Sequence, residues 1–150
     1  MRLVTIDKAA LKCYSSHGEM LKKANRPCGL VLKLIYKGHR YDFAIPLRSN
    51  ICASAPKNQY FPLPPRSTTR PKNRHGLHYI KMFPVRRTWL LPFHTSGNMF
   101  AALIKGIIDK NEKRIVKECQ DYLARYEAGD RPAFSTDIDA LIALMNNMPK

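Results

Sequence analysis

The segment Gly29–Leu47, GLVLKLIYKGHRYDFAIPL, decides the fold of this chain. Its first part, Gly29–Tyr36, is rich in aliphatic and β-branched residues and predicts a strand. Lys37-Gly38 is typical of a tight turn. The return segment, His39–Leu47, alternates large apolar residues with polar or small ones, which is the period of a strand with one buried face. The sequence therefore predicts an antiparallel β-hairpin whose second strand ends at Leu47.

Further elements are predicted on both sides of the hairpin. Arg2–Ile6 predicts a short strand, and Asp7 can cap a helix over residues 8–14. Residues 48–76 contain five prolines, so we expect an irregular segment without a helix or a central strand. Leu77–Val85 predicts the next strand, and a short one can follow it before the chain becomes helical.

The C-terminal third of the chain has helical periodicity. Apolar stripes predict helices over residues 98–109 and 111–128, and Gly129 ends the second. A third helix follows Thr136, which with Asp139 resembles a capping box. Strands followed by helices predict one compact α+β domain over residues 1–150, with a mostly antiparallel sheet and helices packed against it.

The positive charge is concentrated in one part of the sequence. The net charge is +15, and residues 1–90 hold eighteen Lys and Arg against three acids, while residues 91–150 hold eight of each sign. No acid occurs between Asp42 and Asp109. Because a surface that needs only solubility usually mixes both signs, this pattern indicates a face that binds a polyanion, above all a nucleic acid. A membrane surface is the weaker reading, since no basic amphipathic helix is evident.

Other classes of protein have little support in the sequence. No apolar run is long enough to span a membrane, and the first residues lack the pattern of a signal peptide, so we expect a cytoplasmic protein. The four cysteines are widely and irregularly spaced and form no C-x-x-C pair, which argues against a zinc ribbon. The neutral C-terminal helices also disfavour a DNA-binding helix-turn-helix.

Arg48-Ser49-Asn50 directly follows the predicted second strand of the hairpin. Arginine can hold a phosphate with two hydrogen bonds, serine offers a hydroxyl, and asparagine offers an amide donor. A loop at a strand end is a usual place for active-site groups. The alternative is that Ser49 and Asn50 only stabilise a turn.

A second polar cluster is His75-Gly76-Leu77-His78-Tyr79-Ile80-Lys81. In a strand, His78 and Ile80 would share one face, and Tyr79 and Lys81 the other. H-x-x-H without a third ligand nearby is a poor zinc signature, so His75 and His78 are better candidates for proton transfer. Either histidine could instead be a satisfied structural residue, and Lys81 could simply extend its amine to solvent.

Side chains suited to RNA contacts are spread over the basic part of the chain. Arginine and lysine can contact phosphates, and aromatic rings can stack on bases. The predicted RNA-binding residues are Arg26, Lys33, Arg40, Asn50, Lys57, Arg66, Arg70, Lys72, Arg74 and Tyr79. Further stacking candidates are Tyr36, Tyr60, Phe61 and Trp89, most of which we expect in the core.

The sequence favours nuclease chemistry without a metal ion or cofactor. Residues 43–108 contain no carboxylate, whereas a two-metal centre needs several. A metal-independent reaction requires RNA, because the 2′-hydroxyl is the nucleophile, and yields a 2′,3′-cyclic phosphate and a 5′-hydroxyl. The protein then supplies positioning, proton transfer and charge stabilisation. The alternative function is a non-catalytic RNA-binding protein, such as a ribosome-associated protein or an RNA chaperone.

The order of several short motifs resembles the ToxN/AbiQ family of type III toxin–antitoxin endoribonucleases, with its TenpN-like branch as the nearest pattern. The matching segments are Val4-Thr5-Ile6, Gly29-Leu30-Val31-Leu32, Gly38-His39-Arg40-Tyr41, Pro46-Leu47-Arg48-Ser49 and Gly76–Val85, followed by the three-helix end. Together they cover most of the chain, and the proline-rich segment matches least.

This resemblance implies a fold related to the Kid/MazF toxins, with a strongly twisted antiparallel sheet. It implies metal-independent cleavage of cellular mRNA in growth arrest and phage defence. It also implies inhibition by an antitoxin RNA of pseudoknot repeats, which the toxin cuts from a precursor and binds in a hetero-oligomeric assembly. The polar residues after Pro-Leu are catalytic in the family, which carries over onto Arg48 and Ser49.

Two departures from the family pattern affect the expected site. The family often has Thr-Ser where this chain has Arg48-Ser49, and a lysine where it has Ile51, so that role can pass to Arg48, Lys57 or Lys81. A family lysine before the first hairpin strand has only Arg26 nearby. We expect Ser49 to orient the 2′-hydroxyl or to exchange a proton with it. Arg48 and Lys81 would stabilise the phosphorane, and His78 or His75 would protonate the leaving oxygen.

Overall fold

The computed structural model describes residues 2–14, 28–93 and 97–148. Within these ranges there are seven strands: β1 Arg2–Ile6, β2 Cys28–Tyr36, β3 His39–Cys52, β4 Tyr60–Leu63, β5 Asn73–His78, β6 Phe83–Val85 and β7 Leu90–Pro92. The same ranges contain four α-helices: α1 Lys8–Leu11, α2 Met99–Lys110, α3 Glu112–Glu127 and α4 Ile138–Asn146. The predicted α+β class is confirmed. No helix in these ranges is both long and apolar enough to cross a membrane.

The predicted hairpin is confirmed as the pair β2–β3. Its register runs from Gly29 opposite Pro46 to Tyr36 opposite His39. Lys37 and Gly38 both have positive φ, 50° and 76°, as a two-residue turn between twisted strands requires. The hairpin thus forms where local periodicity and turn chemistry agree.

Strand β3 is longer than predicted and joins two parts of the sheet. Its first half pairs with β2 and, at residues 42–44, with β6, while residues 47–52 pair with β5. The order β4-β5-β3-β2-β1-β7 results, with every neighbouring pair antiparallel. The expectation that the strand ends at Leu47 is therefore wrong, because Arg48, Ile51 and Cys52 pair with residues of β5.

The proline-rich segment is also more ordered than predicted. It contains the end of β3, all of β4 and the start of β5. Pro62 lies inside β4, which is the outermost strand at its end of the sheet. An edge strand tolerates proline because it needs hydrogen bonds on only one side.

Successive side chains along the strands pack alternately into two separate hydrophobic clusters. Leu3 and Phe43 pack with α2 and α3, whereas their neighbours Val4 and Ala44 pack with Tyr14 and with α4. In α3 the periodicity predicts a buried face, which is confirmed except at the half-buried Val116: Ile115, Val116, Cys119, Tyr122, Leu123 and Tyr126. In α2 it predicts a stripe of Met99, Phe100, Leu103, Ile104, Ile107 and Ile108. That stripe is only partly buried, since Met99 is 90% exposed and Leu103 52% exposed.

The predicted strand Leu77–Val85 is interrupted by a 3-10 turn at Tyr79–Lys81. Thr136 stabilises this turn, because its backbone N–H donates to the carbonyl of Ile80 at 2.9 Å and its hydroxyl donates to that of Met82 at 2.5 Å. The buried Thr136 therefore binds the turn, and Asp137 caps α4 instead. These contacts bring the segment before α4 alongside the end of β5.

Candidate nucleic-acid interface

A β-bulge in β3 lies at the polar tripeptide. Arg48 pairs with Gly76 and Ile51 with Arg74, so Ser49 and Asn50 oppose the single residue His75. Bulges bend a strand, increase its twist and redirect side chains, and they are frequent next to active sites. The tripeptide was expected in a loop, but it is part of a paired strand and is held by the backbone of β5.

The C-terminal half of β3 forms one wall of a groove of about 610 Å³. His78, at the end of β5, and Lys81, in the following turn, line it together with Arg48 and Asn50. The segment before α4 closes the opposite side through Phe134 and its neighbours. Among the described residues that line this groove there is no carboxylate, so its two cations are suited to an anionic ligand.

Arg48 and His78 contact each other in this groove. The guanidinium Nη1 of Arg48 lies 3.5 Å from Nδ1 of His78. A guanidinium has only donors, so a hydrogen bond here makes Nδ1 the acceptor and places the imidazole proton on Nε2. Burial, and then the charges of Arg48 and Lys81, lower the pKa of His78 to about 3. His78 is therefore neutral near pH 7, and burial also lowers the pKa of Arg48.

Lys81 is buried, and its Nζ donates to the carbonyl of Phe134 at 2.6 Å. The prediction that Lys81 and His78 lie on opposite faces is wrong, because the 3-10 turn ends the strand alternation after His78. Both side chains thus line the same groove. The turn is what adds a second cation beside Arg48.

Asn50 holds the basic loop 64–72 against β3. Its Oδ1 accepts hydrogen bonds from the backbone N–H of Arg70 at 2.8 Å and from Nδ2 of Asn73 at 3.3 Å. Its own Nδ2 donates to the carbonyl of Thr68 at 3.1 Å. Asn50 therefore fixes the loop beside the groove as well as lining it. The exposed basic residues of this loop and the adjoining strand are Arg66, Arg70, Lys72 and Arg74.

Two predicted catalytic residues lie outside the groove lining. Ser49 is half-buried in the bulge. His75 is 2% exposed, and its Nδ1 lies 2.7 Å from the carbonyl oxygen of Pro64. Its Nε2 is buried without a hydrogen-bond partner among the described residues. Burial and the charge of Arg66 help lower the pKa of His75.

The remaining predicted RNA-binding residues are placed as follows. Tyr79 is fully buried and its hydroxyl donates to Glu118 at 2.8 Å, so its predicted stacking on RNA is corrected: the ring belongs to the core. Lys33 and Arg40 are exposed on the hairpin, and Lys57 is exposed before β4. Arg26 lies outside the described residues.

Phe134 was missed at the sequence level. It lines the groove and is 73% exposed, with a φ of +67°. Its only signal in the sequence is a large apolar residue in a polar connection between two helices. Within the described ranges, no group of three or more His, Cys, Asp or Glu side chains is placed to hold a metal ion.

Comparison with known proteins gives matches in structure. No family model and no curated protein sequence matches the chain. ToxN, from a bacterial antiviral system that a processed non-coding RNA regulates, matches with a TM-score of 0.74 at 15% identity over 100% of both chains. AbiQ, a lactococcal anti-phage endoribonuclease of a type III toxin–antitoxin system, matches with a TM-score of 0.69 at 16% identity, over 97% of this chain and 95% of AbiQ. This chain has the ToxN/AbiQ fold. The predicted fold resemblance is thereby confirmed, and at these identities it is the fold that is shown.

Proposed function

We propose that this protein is an endoribonuclease and the toxin of a type III toxin–antitoxin system. The observation that carries the proposal is the convergence of Arg48, His78 and Lys81 on one groove, in a chain with the ToxN/AbiQ fold. The described residues that line this groove include no carboxylate. The phosphate backbone of RNA is a suitable ligand for this groove. Cleavage of RNA needs cations that stabilise the phosphate, here Arg48 and Lys81, and a group that transfers protons, here His78.

The proposed reaction is attack of an RNA 2′-hydroxyl on the adjacent phosphorus, with departure of the 5′-oxygen. Arg48 and Lys81 bind the non-bridging oxygens, whose negative charge increases in the phosphorane. Both cations are partly desolvated, which strengthens this interaction relative to water. No metal ion is required, and the products carry a 2′,3′-cyclic phosphate and a 5′-hydroxyl.

His78 is proposed as the proton donor. In the free protein Arg48 occupies its Nδ1 and the ring is neutral. A bound phosphate draws Arg48 towards itself and places negative charge beside the ring, so the pKa of His78 rises. The protonated ring then gives its proton to the leaving 5′-oxygen. Ser49 lies in the bulge directly next to Arg48, outside the groove lining, and is proposed to orient the 2′-hydroxyl from there. The proton of that hydroxyl passes to water.

The proposed partners follow from the charge and from the two structural matches. A net charge of +15 suits a large RNA. We propose that an antitoxin RNA of pseudoknot repeats, cut by the protein from its precursor, binds the groove and the basic loop in a hetero-oligomeric assembly. Cellular mRNA is then the substrate of the uninhibited toxin, with growth arrest and phage defence as the outcome.

Growth after induced expression tests this function. Wild type should arrest growth, and Arg48→Ala and His78→Ala should restore it at equal protein levels. Arg87→Ala is the matched control, because Arg87 is exposed and contacts Asp42 away from the groove; this variant should remain toxic. Normal growth with abundant wild-type protein would favour the non-catalytic RNA-binding protein.

A further inference from the structure

Phe134 has three features that its packing does not explain. It is 73% exposed, although most large aromatic side chains of this protein are buried. It lies on the wall of the groove that Arg48, His78 and Lys81 also line. Its φ of +67° is rare for a bulky residue and costs free energy.

The local backbone accounts for the unusual φ. The backbone N–H of Ser135 donates to the carbonyl of Pro132 at 3.2 Å, which closes a four-residue turn with Phe134 at its third position. A positive φ at only that position is characteristic of a type II turn, in which glycine is the preferred residue. The chain thus has an exposed phenylalanine where glycine would fit with less strain.

Hydrogen bonds fix this turn relative to Lys81. Lys81 donates to the carbonyl of Phe134 itself, and Thr136, two residues later, binds the carbonyls of Ile80 and Met82. These hydrogen bonds hold the backbone that carries the Phe134 ring against the turn that carries Lys81. Phe134 lines the same groove as Arg48 and Lys81, so a phosphate bound by the two cations can have a neighbouring base against the Phe134 ring.

We propose that Phe134 is a stacking platform for a nucleobase next to the phosphate held by Arg48 and Lys81. Aromatic faces bind bases of any sequence, and the exposed aromatic face supplies an apolar contact that the cations cannot. The inference rests on the proposed function for its ligand, RNA, but it requires only binding and not cleavage.

Binding of a non-cleavable RNA tests this proposal independently of catalysis. The probe is a fluorescein-labelled, fully 2′-O-methylated oligonucleotide of mixed sequence, which lacks the nucleophilic hydroxyl. Phe134→Gly should weaken its binding by about 5- to 100-fold, the range expected for one stacked base. Because glycine suits the turn, this variant should unfold at a temperature no lower than wild type, which separates loss of the ring from loss of the fold.

Two further variants distinguish aromatic stacking from a nonspecific apolar contact. Phe134→Leu should bind the oligonucleotide as weakly as Phe134→Gly, whereas Phe134→Trp should bind it with wild-type affinity. The chain has a single tryptophan, Trp89, which is buried. The introduced indole therefore reports on the groove, and RNA should quench its emission in parallel with the rise in probe anisotropy.

Equal affinity of wild type and Phe134→Gly would overturn the proposal, as would saturated binding without quenching of the introduced indole. If wild type cleaves RNA and Phe134→Gly binds and cleaves equally well, the platform is wrong and the endoribonuclease function stands. If the variant loses binding but wild type cleaves nothing, the platform stands and the function is wrong.

Discussion

Arg48 and His78 contact each other between β3 and β5, with Nη1 of the arginine 3.5 Å from Nδ1 of the histidine. This contact links the two polar clusters of the sequence through residues that are thirty positions apart along the chain. It fixes a neutral imidazole beside a cation, in a groove to which Lys81 adds a second cation. An incoming phosphate therefore meets both cations, and its charge changes the protonation of the ring.

The lowered pKa of His78 makes the folded protein sensitive to acid. Because the unfolded chain takes up this proton near pH 6.5 and the folded chain only near pH 3, the free energy of unfolding should fall as the pH decreases through that interval. The loss should be on the order of a few kcal/mol for this one group. Urea unfolding measured from pH 7 to pH 4 gives the slope of the free energy of unfolding against pH.

Substitution of His78 shows whether this residue causes the pH dependence of stability. His78→Gln removes the titrating group, so its stability should vary less with pH than that of wild type. His75→Gln should remove a smaller part with the same sign, since the pKa of His75 is lowered too. Parallel curves for wild type and His78→Gln would show that His78 is solvated and titrates normally.

Ser49→Ala should abolish toxicity in cells and leave RNA binding largely intact. The physical reason is that loss of one hydroxyl removes orientation of the nucleophile but no cation. Ser54→Ala is a matched control, because Ser54 lines the groove and its hydroxyl contacts Cys52 at 3.0 Å. Growth arrest by Ser49→Ala at the wild-type level would remove this serine from the mechanism.

The basic loop should contribute mainly through charge. Replacing Arg70, Lys72 and Arg74 together by alanine should reduce the slope of log affinity against log salt by about 2 to 3, if each contacts one phosphate. The effect should be similar for RNAs of different sequence, because phosphate contacts carry no sequence information. Filter binding at several salt concentrations measures it.

An equal charge change elsewhere provides the comparison. Lys105, Lys113 and Lys117 are exposed on α2 and α3, and two of them form ion pairs within their helix. Their triple replacement by alanine should leave the salt slope unchanged. If both triple variants reduce the slope equally, RNA affinity depends on the net charge of the protein and not on the basic residues beside the groove.

Gly76→Ala should destabilise the sheet that carries Arg48. A Cβ atom at Gly76 would lie 2.3 Å from the carbonyl oxygen of Phe61 and 3.1 Å from its carbon, both in the backbone of β4. Neither atom can move without separating β4 from β5, so we expect a loss of about 2–4 kcal/mol in the free energy of unfolding.

Gly106→Ala is the opposite case, measured in the same thermal and urea unfolding experiments. A Cβ atom at Gly106 meets nothing within 4 Å, and the residue is exposed within α2. Alanine should therefore stabilise the helix by about 0.5–1 kcal/mol. Wild-type stability in Gly76→Ala would mean that β4 and β5 are not packed this closely in solution.

The elements that the sequence predicts well are those with local causes. The hairpin turn at Lys37-Gly38 and the buried face of α3 follow from short-range periodicity and turn chemistry. The extension of β3 to Cys52 depends on pairing with Asn73, twenty-one residues later, across a bulge. No local pattern encodes that pairing, and the intervening prolines point away from it.

The candidate site likewise contains residues that the sequence could indicate and residues whose positions depend on tertiary contacts. Arg48 could be selected because it directly follows the predicted hairpin strand, and His78 because an imidazole can transfer protons near neutral pH. The position of Lys81 could not be predicted, since it depends on a 3-10 turn that hydrogen bonds from the distant Thr136 stabilise. Phe134 depends on a tertiary contact from Lys81 and on a positive φ that its residue type disfavours.

The most direct test of the central claim is incubation of purified protein with total cellular RNA in excess EDTA, followed by chemical mapping of the new ends. We predict discrete cuts with 2′,3′-cyclic phosphate and 5′-hydroxyl ends, which are lost in His78→Ala and kept in Arg87→Ala. Tight binding of intact RNA, or cleavage only after a divalent metal ion is restored, would contradict the account.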